Sequence, residues 1–433
     1  MKDKRTIWSA PWGYPEAWLI VVGLLLVSYL WQWIVGHVPV GSFVHPISTI
    51  VVVLLLTVSI FVGWRASKGD KMPTIVRFLV SPAATITSIV ILMGQLVIMG
   101  FSTQVDPRMA VGLSGLFHSS GWSAMIHSYP FNISYLYLLL VLGAVTVKRI
   151  VRFKFDAHNI GFILNHLGLY CFLTFALVSG GNMKRYTMAL TQDEVEWRAV
   201  SQSSDEMVEL PIALELKHFT LDEYPPKLMF LDGLSSKVLP EGMPDMIHIE
   251  EVPTNGKLLD WEVGVEELLP LAAPMVNDST IVFSEFASMG GAPAVKITAR
   301  KGDEVHSGWV SCGSFLFPHR ALGLGDELSI VMPYPEIRQY YATLKYFLQS
   351  GEMGEKTISV NHPLRVNGWY VYQLNYDEEK RRWATTTEVE LVYDPWLTPV
   401  LVSIWVLFAG AVFLLLGPAN SPTTSRRNEE EKG

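Results

Sequence analysis

Six runs of mostly apolar residues, at 17–35, 47–64, 83–101, 131–147, 160–180 and 397–416, set the outline of any fold this chain can adopt. Each is close to the roughly 20 residues that a helix needs to cross a bilayer. In hydrocarbon every backbone N–H and C=O must find a partner within the chain, and a helix satisfies them locally. Half of the 433 residues are hydrophobic and only 17% are charged, too apolar a balance for a soluble protein of this size. The first run follows a basic MKDKR start and could be mistaken for a signal peptide. It is long, it ends in WQWIVGHV without a small-residue cleavage pattern, and a second run follows at once. It is therefore read as a helix that stays.

Lysine and arginine placement fixes the orientation. Lys2, Lys4 and Arg5 precede the first span; Arg65, Lys68, Lys71 and Arg77 follow the second; Lys148, Arg149, Arg152 and Lys154 follow the fourth; Arg426, Arg427 and Lys432 follow the sixth. The alternate connections, 36–46 and 102–130, hold only Arg108. Six spans with both termini in the cytoplasm satisfy this pattern and place residues 184–395 outside.

That outer region carries 18 Lys and Arg against 33 Asp and Glu. Such acidity suits either a basic partner or simple solubility. PIALELKHFTL, PAVKITAR, KTISVNHPLRV, WYVYQLNY and TTTEVELVY alternate or are enriched in β-branched and aromatic residues. Turn residues separate them in DEYPP, LDGLSS, MGGAP and ARKGDE. One helix is expected over 335–350, where Ile337, Tyr341, Leu344 and Phe347 recur at helical spacing. The fold class is thus a polytopic α-helical membrane protein with six transmembrane helices and a large, mostly antiparallel β domain between helices five and six.

No Walker loop, GxSxG, HExxH or dinucleotide fingerprint is present, so nothing supports an enzyme. Cys171 and Cys312 form no CxxC pair and read as packing residues or, less simply, redox groups. His37 and His45 flank the first outer connection, and His118 and His127 lie in the second. These four either line a common site at the outer face or make interfacial hydrogen bonds. His166 stands apart, inside GFILNHLGLYCFLTFALVSG (161–180), some 9 Å from the cytoplasmic end of that span at 1.5 Å per residue. A polar side chain there is costly without a partner. Neutral imidazole is a ligand for haem iron, and Gly168 would admit a flat cofactor or a second helix. Hydrogen bonding to Asn165 or to a serine on another span is the plainer alternative. No second histidine of this chain lies at that depth, so a second axial histidine would come from another subunit.

Across roughly residues 83–417 the sequence resembles the ResB family, also called CcsB. The resemblance rests on SPAATITSIVILMGQLVIMGFSTQ, on FHSSGW and KRIVRFKF around the next span, on NHLGLY, on LELKHFTLDEYPPKLMFLDG, on VNHPLRVNGWYVYQLNYD and on YDPWLTPVLVSIWVLFAGAVFLLL, in the family's order. Two extra N-terminal spans resemble the Bacteroidetes-type variant. The resemblance implies a subunit of the System II cytochrome c assembly pathway in the bacterial inner membrane, with residues 184–395 periplasmic. Its partners would be a CcsA-type haem-handling protein, expected here as a separate chain, apocytochrome c and the lipid bilayer, with no nucleic acid. Haem b would bind transiently, His166 supplying one axial ligand to the metal and the partner the other. No catalytic residue is assigned, since synthetase chemistry would belong to the complex.

The expected organisation is an extension with two spans (1–82), a three-span core (83–183), the β domain (184–395), a last span (396–418) and a charged tail (419–433). A membrane-anchored periplasmic ligand-binding or sensor module is the alternative. A thiol reductant ranks behind both, for want of a CxxC pair.

Overall fold

A computed structural model of the chain describes residues 7–39, 46–69, 72–106, 115–202, 204–277, 280–325 and 328–416. It divides into two compact units, one of residues 1–183 with 394–433 and one of residues 184–393.

The first unit is helical: α1 (Tyr14–Val35), α2 (Ile47–Ser67), α3 (Thr74–Leu79), α4 (Pro82–Phe101), α5 (Leu116–Ser119), α6 (Tyr129–Val151), α7 (Ala157–Asn182) and α8 (Leu397–Leu416). All but α3 and α5 are long and apolar enough to cross a membrane. Capping residues set three starts. Ser81 accepts from Ala84 N–H, Ser128 from Phe131 N–H and Asp156 from Asn159 N–H, each occupying a donor the first turn leaves free.

Burial in this unit is inverted relative to a soluble protein. Leu26, Leu54, Val97 and Trp405 face outward, whereas Gln32, Ser59, Gln95, Thr174 and Ser403 are buried. Lipid tails are as apolar as leucine, so the outward face costs nothing and polar groups turn inward, where Ser59 and Ser403 bond backbone carbonyls and Gln32 accepts from Tyr129 N–H. The chain is a multi-pass membrane protein. Helix α6 packs against α1, α2, α4 and α7, while α8 packs chiefly on α7. That last contact depends on two glycines. A Cβ on Gly168 would lie 2.5 Å from Leu407 N, and one on Gly410 would lie 2.3 Å from Asn165 N.

The second unit is β-rich, with β1 (Lys184–Thr191), β2 (Val195–Ser201), β3 (Met207–Glu223), β4 (Lys227–Asp232), β5 (Val238–Leu239), β6 (Ile247–His248), β7 (Thr254–Leu258), β8 (Trp261–Asn277), β9 (Thr280–Glu285), β10 (Ala292–Lys301), β11 (Glu304–Ser311), β12 (Leu322–Gly323), β13 (Leu328–Val331), β14 (Ile337–Leu348), β15 (Met353–Ser359), β16 (Leu364–Val366), β17 (Trp369–Tyr376) and β18 (Thr386–Tyr393). Eight strands form an antiparallel sheet in the order β15-β14-β3-β2-β1-β18-β17-β16. Ile358 and Leu364 from its two edge strands share one hydrophobic cluster with Leu214 and Leu391 from its middle. The sheet therefore curls around a single core. A second cluster, including Phe230, Val265, Ile297 and Ile330, draws on the two five-stranded sheets, β11-β10-β8-β7 with β9 and β12-β13-β4-β5 with β6.

The helix expected over 335–350 is strand β14. Its four apolar positions at helical spacing coincide with a run of Tyr340, Tyr341, Tyr346 and Phe347 that suits a pleated surface. Pairing with β3 on one side and β15 on the other satisfies its backbone, and Ala342 and Leu344 go to the core.

Within the β unit, Glu223 ends β3 with its side chain only 6% exposed. Arg381 donates to it at 2.7 Å, Arg382 donates to its other oxygen, and Trp383 Nε1 donates to Gly291 O at 2.9 Å. Residues 381–383 thereby tie the large sheet to the start of β10. Replacing Glu223 with Ala leaves the guanidinium groups of Arg381 and Arg382 without their carboxylate partner. Full-length protein in detergent should lose about 3–5 kcal/mol in denaturant unfolding followed by tryptophan fluorescence. Glu196→Ala, which removes a solvent-facing pair with Arg198 and two exposed hydrogen bonds from the Trp197 and Arg198 N–H groups, should cost less, about 1 kcal/mol. In the helical unit, Gly410→Ala should destabilise by about 1–3 kcal/mol through overpacking. Gly180→Ala, with nothing within 4 Å of the added carbon, should be tolerated.

Candidate functional site

Helix α7 places His166. Because Asp156 caps it, the helix starts at Ala157, and His158 lies in its first turn rather than in a connecting loop. His166 is then nine residues in, about 13.5 Å along the axis, deeper than the 9 Å expected from the apolar run alone. At about 100° per residue it sits roughly 140° around the helix from Gly161, which with Gly168 faces α8. Gly168 is used by the second helix, not left open for a flat group. His166 faces the other way, on the side of α7 that carries Leu169, Tyr170 and Leu173 against α6.

Neither plain alternative for His166 is realised. Its Nδ1 lies 2.9 Å from the backbone carbonyl of Phe162, one turn back on the same helix. A carbonyl oxygen only accepts, so Nδ1 carries the proton and Nε2 keeps its lone pair in the neutral ring. The bond from Nδ1 is the one side-chain hydrogen bond of His166 among the described residues, so Nε2 has none there. A backbone acceptor on one ring nitrogen is the usual device for orienting a ligating imidazole. The ring also stacks on Phe162, with centroids 3.8 Å apart and planes 17° from parallel. The guanidinium of Arg149, on α6, lies 4.8 Å over the other ring of that pair, Phe162, and bonds Asn159 Oδ1. His166 is thus half-buried, fixed in tautomer and rotamer, and backed by an aromatic ring and a cation.

Phe162 could have been found from its i−4 spacing to His166. Arg149 could not, since only the packing of α6 on α7 brings it there.

The other end of the bundle gathers histidines. His37 follows α1, and Val38 N–H donates to His127 O at 2.7 Å. Burial lowers the His37 pKa below the usual imidazole value, and neighbouring His127 and His118 lower it further. Among the described residues, His37 Nε2 and His118 Nδ1 are buried without a hydrogen-bond partner. His127 edges a cavity of about 270 Å³ with Phe131 and Tyr135. His45 lies outside the described residues. Among the described residues no group of three His, Cys, Asp or Glu side chains could hold a metal ion. Cys171, on α7, and Cys312, buried in the β unit, are both free thiols.

Because His37 has a depressed pKa in the folded chain, it stabilises the fold above the ordinary value of about 6.5 and loses that contribution as pH falls through its lowered value. Thermal unfolding followed from pH 7.5 downwards should show an acid-side loss below about pH 6.5. That loss should shrink in His37→Gln.

Residues 331–395, from the end of β13 to the start of the last span, match the model of the ResB-like family. No curated protein matches the chain. The match is consistent with a ResB/CcsB-type protein and points to cytochrome c biogenesis; it contains Arg381, Arg382 and Trp383 but does not reach α7.

Proposed function

We propose that this chain is a non-catalytic subunit of a ResB–CcsA-type complex that takes up haem at the cytoplasmic side of the bacterial inner membrane. The complex passes haem to the outer face for attachment to apocytochrome c. The family match supports a place in cytochrome c biogenesis. The observation that carries the haem reading is the bond from His166 Nδ1 to Phe162 O, which leaves Nε2 as a free, oriented donor inside the membrane. His166 offers one axial ligand; the CcsA-type partner offers the other. Haem is cargo here, and this chain's contribution is a rigid ligand at a set depth.

The basic termini of the spans favour a single orientation. Arg152, after α6, donates to the carbonyls of Ala66 and Ser67 at the end of α2, so two of the basic connections share one end of the bundle. With that end in the cytoplasm both termini lie inside and the β unit is periplasmic. There its acidic surface suits a role in guiding a basic apocytochrome.

The test is a visible spectrum of the detergent-purified complex with its partner. Wild type should show a haem Soret band that is lost or shifted in His166→Ala and restored by added imidazole. Size-exclusion profiles establish that the variant is folded. A folded variant with an unchanged band removes His166 from the iron and overturns the reading.

A further inference from the structure

A second cavity, of about 490 Å³, opens at the basic end of α6 and α7, and its wall includes Phe162, the ring that stacks on His166. Lys148, Arg149, Arg152 and Lys154 line it, with Asp156 as the one acid. Asp156 already accepts from Asn159 N–H as the cap of α7. None of the four cations forms an ion pair with a carboxylate among the described residues. The side chains of Lys148 and Lys154 have no hydrogen bond within the protein among those residues. Four positive charges against one carboxylate around one concavity favour an anion, and more than one negative charge suits them better than one.

The occupant must also be amphiphilic. One wall of the cavity is cationic; the other, Phe162 with Val80 and Val145, is apolar, and His166 stacks on Phe162. From Asn159, at the cationic end, to His166 is seven residues of helix, about 10.5 Å. A flat apolar ring system bearing two carboxylates on one edge matches this arrangement. Basic residues at a cytoplasmic boundary serve topology whatever they touch. Topology alone, however, does not require Arg149 to turn back over Phe162, nor the cations to ring one cavity beside the candidate ligand.

We propose that Lys148, Arg149, Arg152 and Lys154 receive the two propionate carboxylates of haem while His166 meets its iron. The site thus recognises haem by both its edge and its metal. This rests on the haem reading above. It assigns the basic connection a part in selecting and orienting the cargo: the carboxylate edge stays towards the cytoplasm and the ring plane enters the membrane.

The experiment compares ferric haem with its dimethyl ester, which keeps iron and ring but lacks both negative charges. Each is titrated into the full-length chain with its partner in detergent, with the Soret band as readout. Wild type should bind the free acid about tenfold or more tightly than the ester. Lys148→Gln with Lys154→Gln should abolish most of that preference and leave the band position unchanged, because the iron ligands remain. His166→Ala should do the reverse, altering the band and keeping the preference for the free acid. Equal binding of acid and ester by wild type, or no haem binding at all, overturns the proposal. An unaltered band in His166→Ala with the acid preference intact would overturn the ligation reading and with it recognition by the metal, whereas equal binding of acid and ester with an altered band in His166→Ala would overturn this proposal and leave the ligation reading standing. Anionic phospholipid that co-purifies with wild type and is lost in the lysine variant, with the acid preference unchanged, would make the cavity a lipid headgroup site and also overturn the proposal.

Discussion

The contact between α7 and α8 governs how the candidate site is presented. In a bilayer there is no hydrophobic drive to bring two apolar helices together, so close packing must supply the attraction. Gly168 lets the backbone of Leu407 approach, and Gly410 lets the backbone of Asn165 approach. With one face of α7 committed to α8 in this way, the opposite face is turned to α6. His166, Phe162 and the neighbouring Arg149 lie on that side. Ser179 donates to Asp394 at 2.7 Å and Phe175 stacks on Trp396, holding the same pair of helices at their other end. In the β unit the first and last strands are likewise neighbours, Lys184 opposite Tyr393. Each unit thus independently joins the two ends of the long excursion between α7 and α8.

Charge and polarity follow from solvent. In the helical unit apolar side chains face the lipid and polar ones lie inside, where each needs a partner. His166 meets this demand with Phe162 O on its own helix, which leaves its second nitrogen for a ligand. The β unit follows the rules of water instead. Its cores are apolar, its surface is acidic, and the buried carboxylate of Glu223 is matched by two arginines.

Much of this could be read before the fold was known, because the bilayer imposes a length and the sheet imposes a period. The six spans stand out for that reason, and so do β3, β10, β17 and β18. Segment 335–350 misled because apolar residues at i, i+4, i+7 and i+10 (Ile337, Tyr341, Leu344 and Phe347) also fall on a strand, and only its pairing with β3 and β15 decides. His166 was legible as a polar residue in an apolar run. Its tautomer was not, since that depends on the carbonyl it meets. Gly168 was legible as a place of close approach, but not which neighbour would use it. The convergence of His37, His118 and His127 required two connections, far apart in sequence, to meet at one end of the bundle.

Haem handling by this chain depends on His166 Nε2 reaching iron. The most direct measurement is a structure of the haem-loaded complex of this chain with its CcsA-type partner. It should show Nε2 within coordination distance of the iron, with Nδ1 still on the carbonyl of Phe162. Haem bound elsewhere in the complex, or His166 directed at a protein acceptor through Nε2, would contradict it.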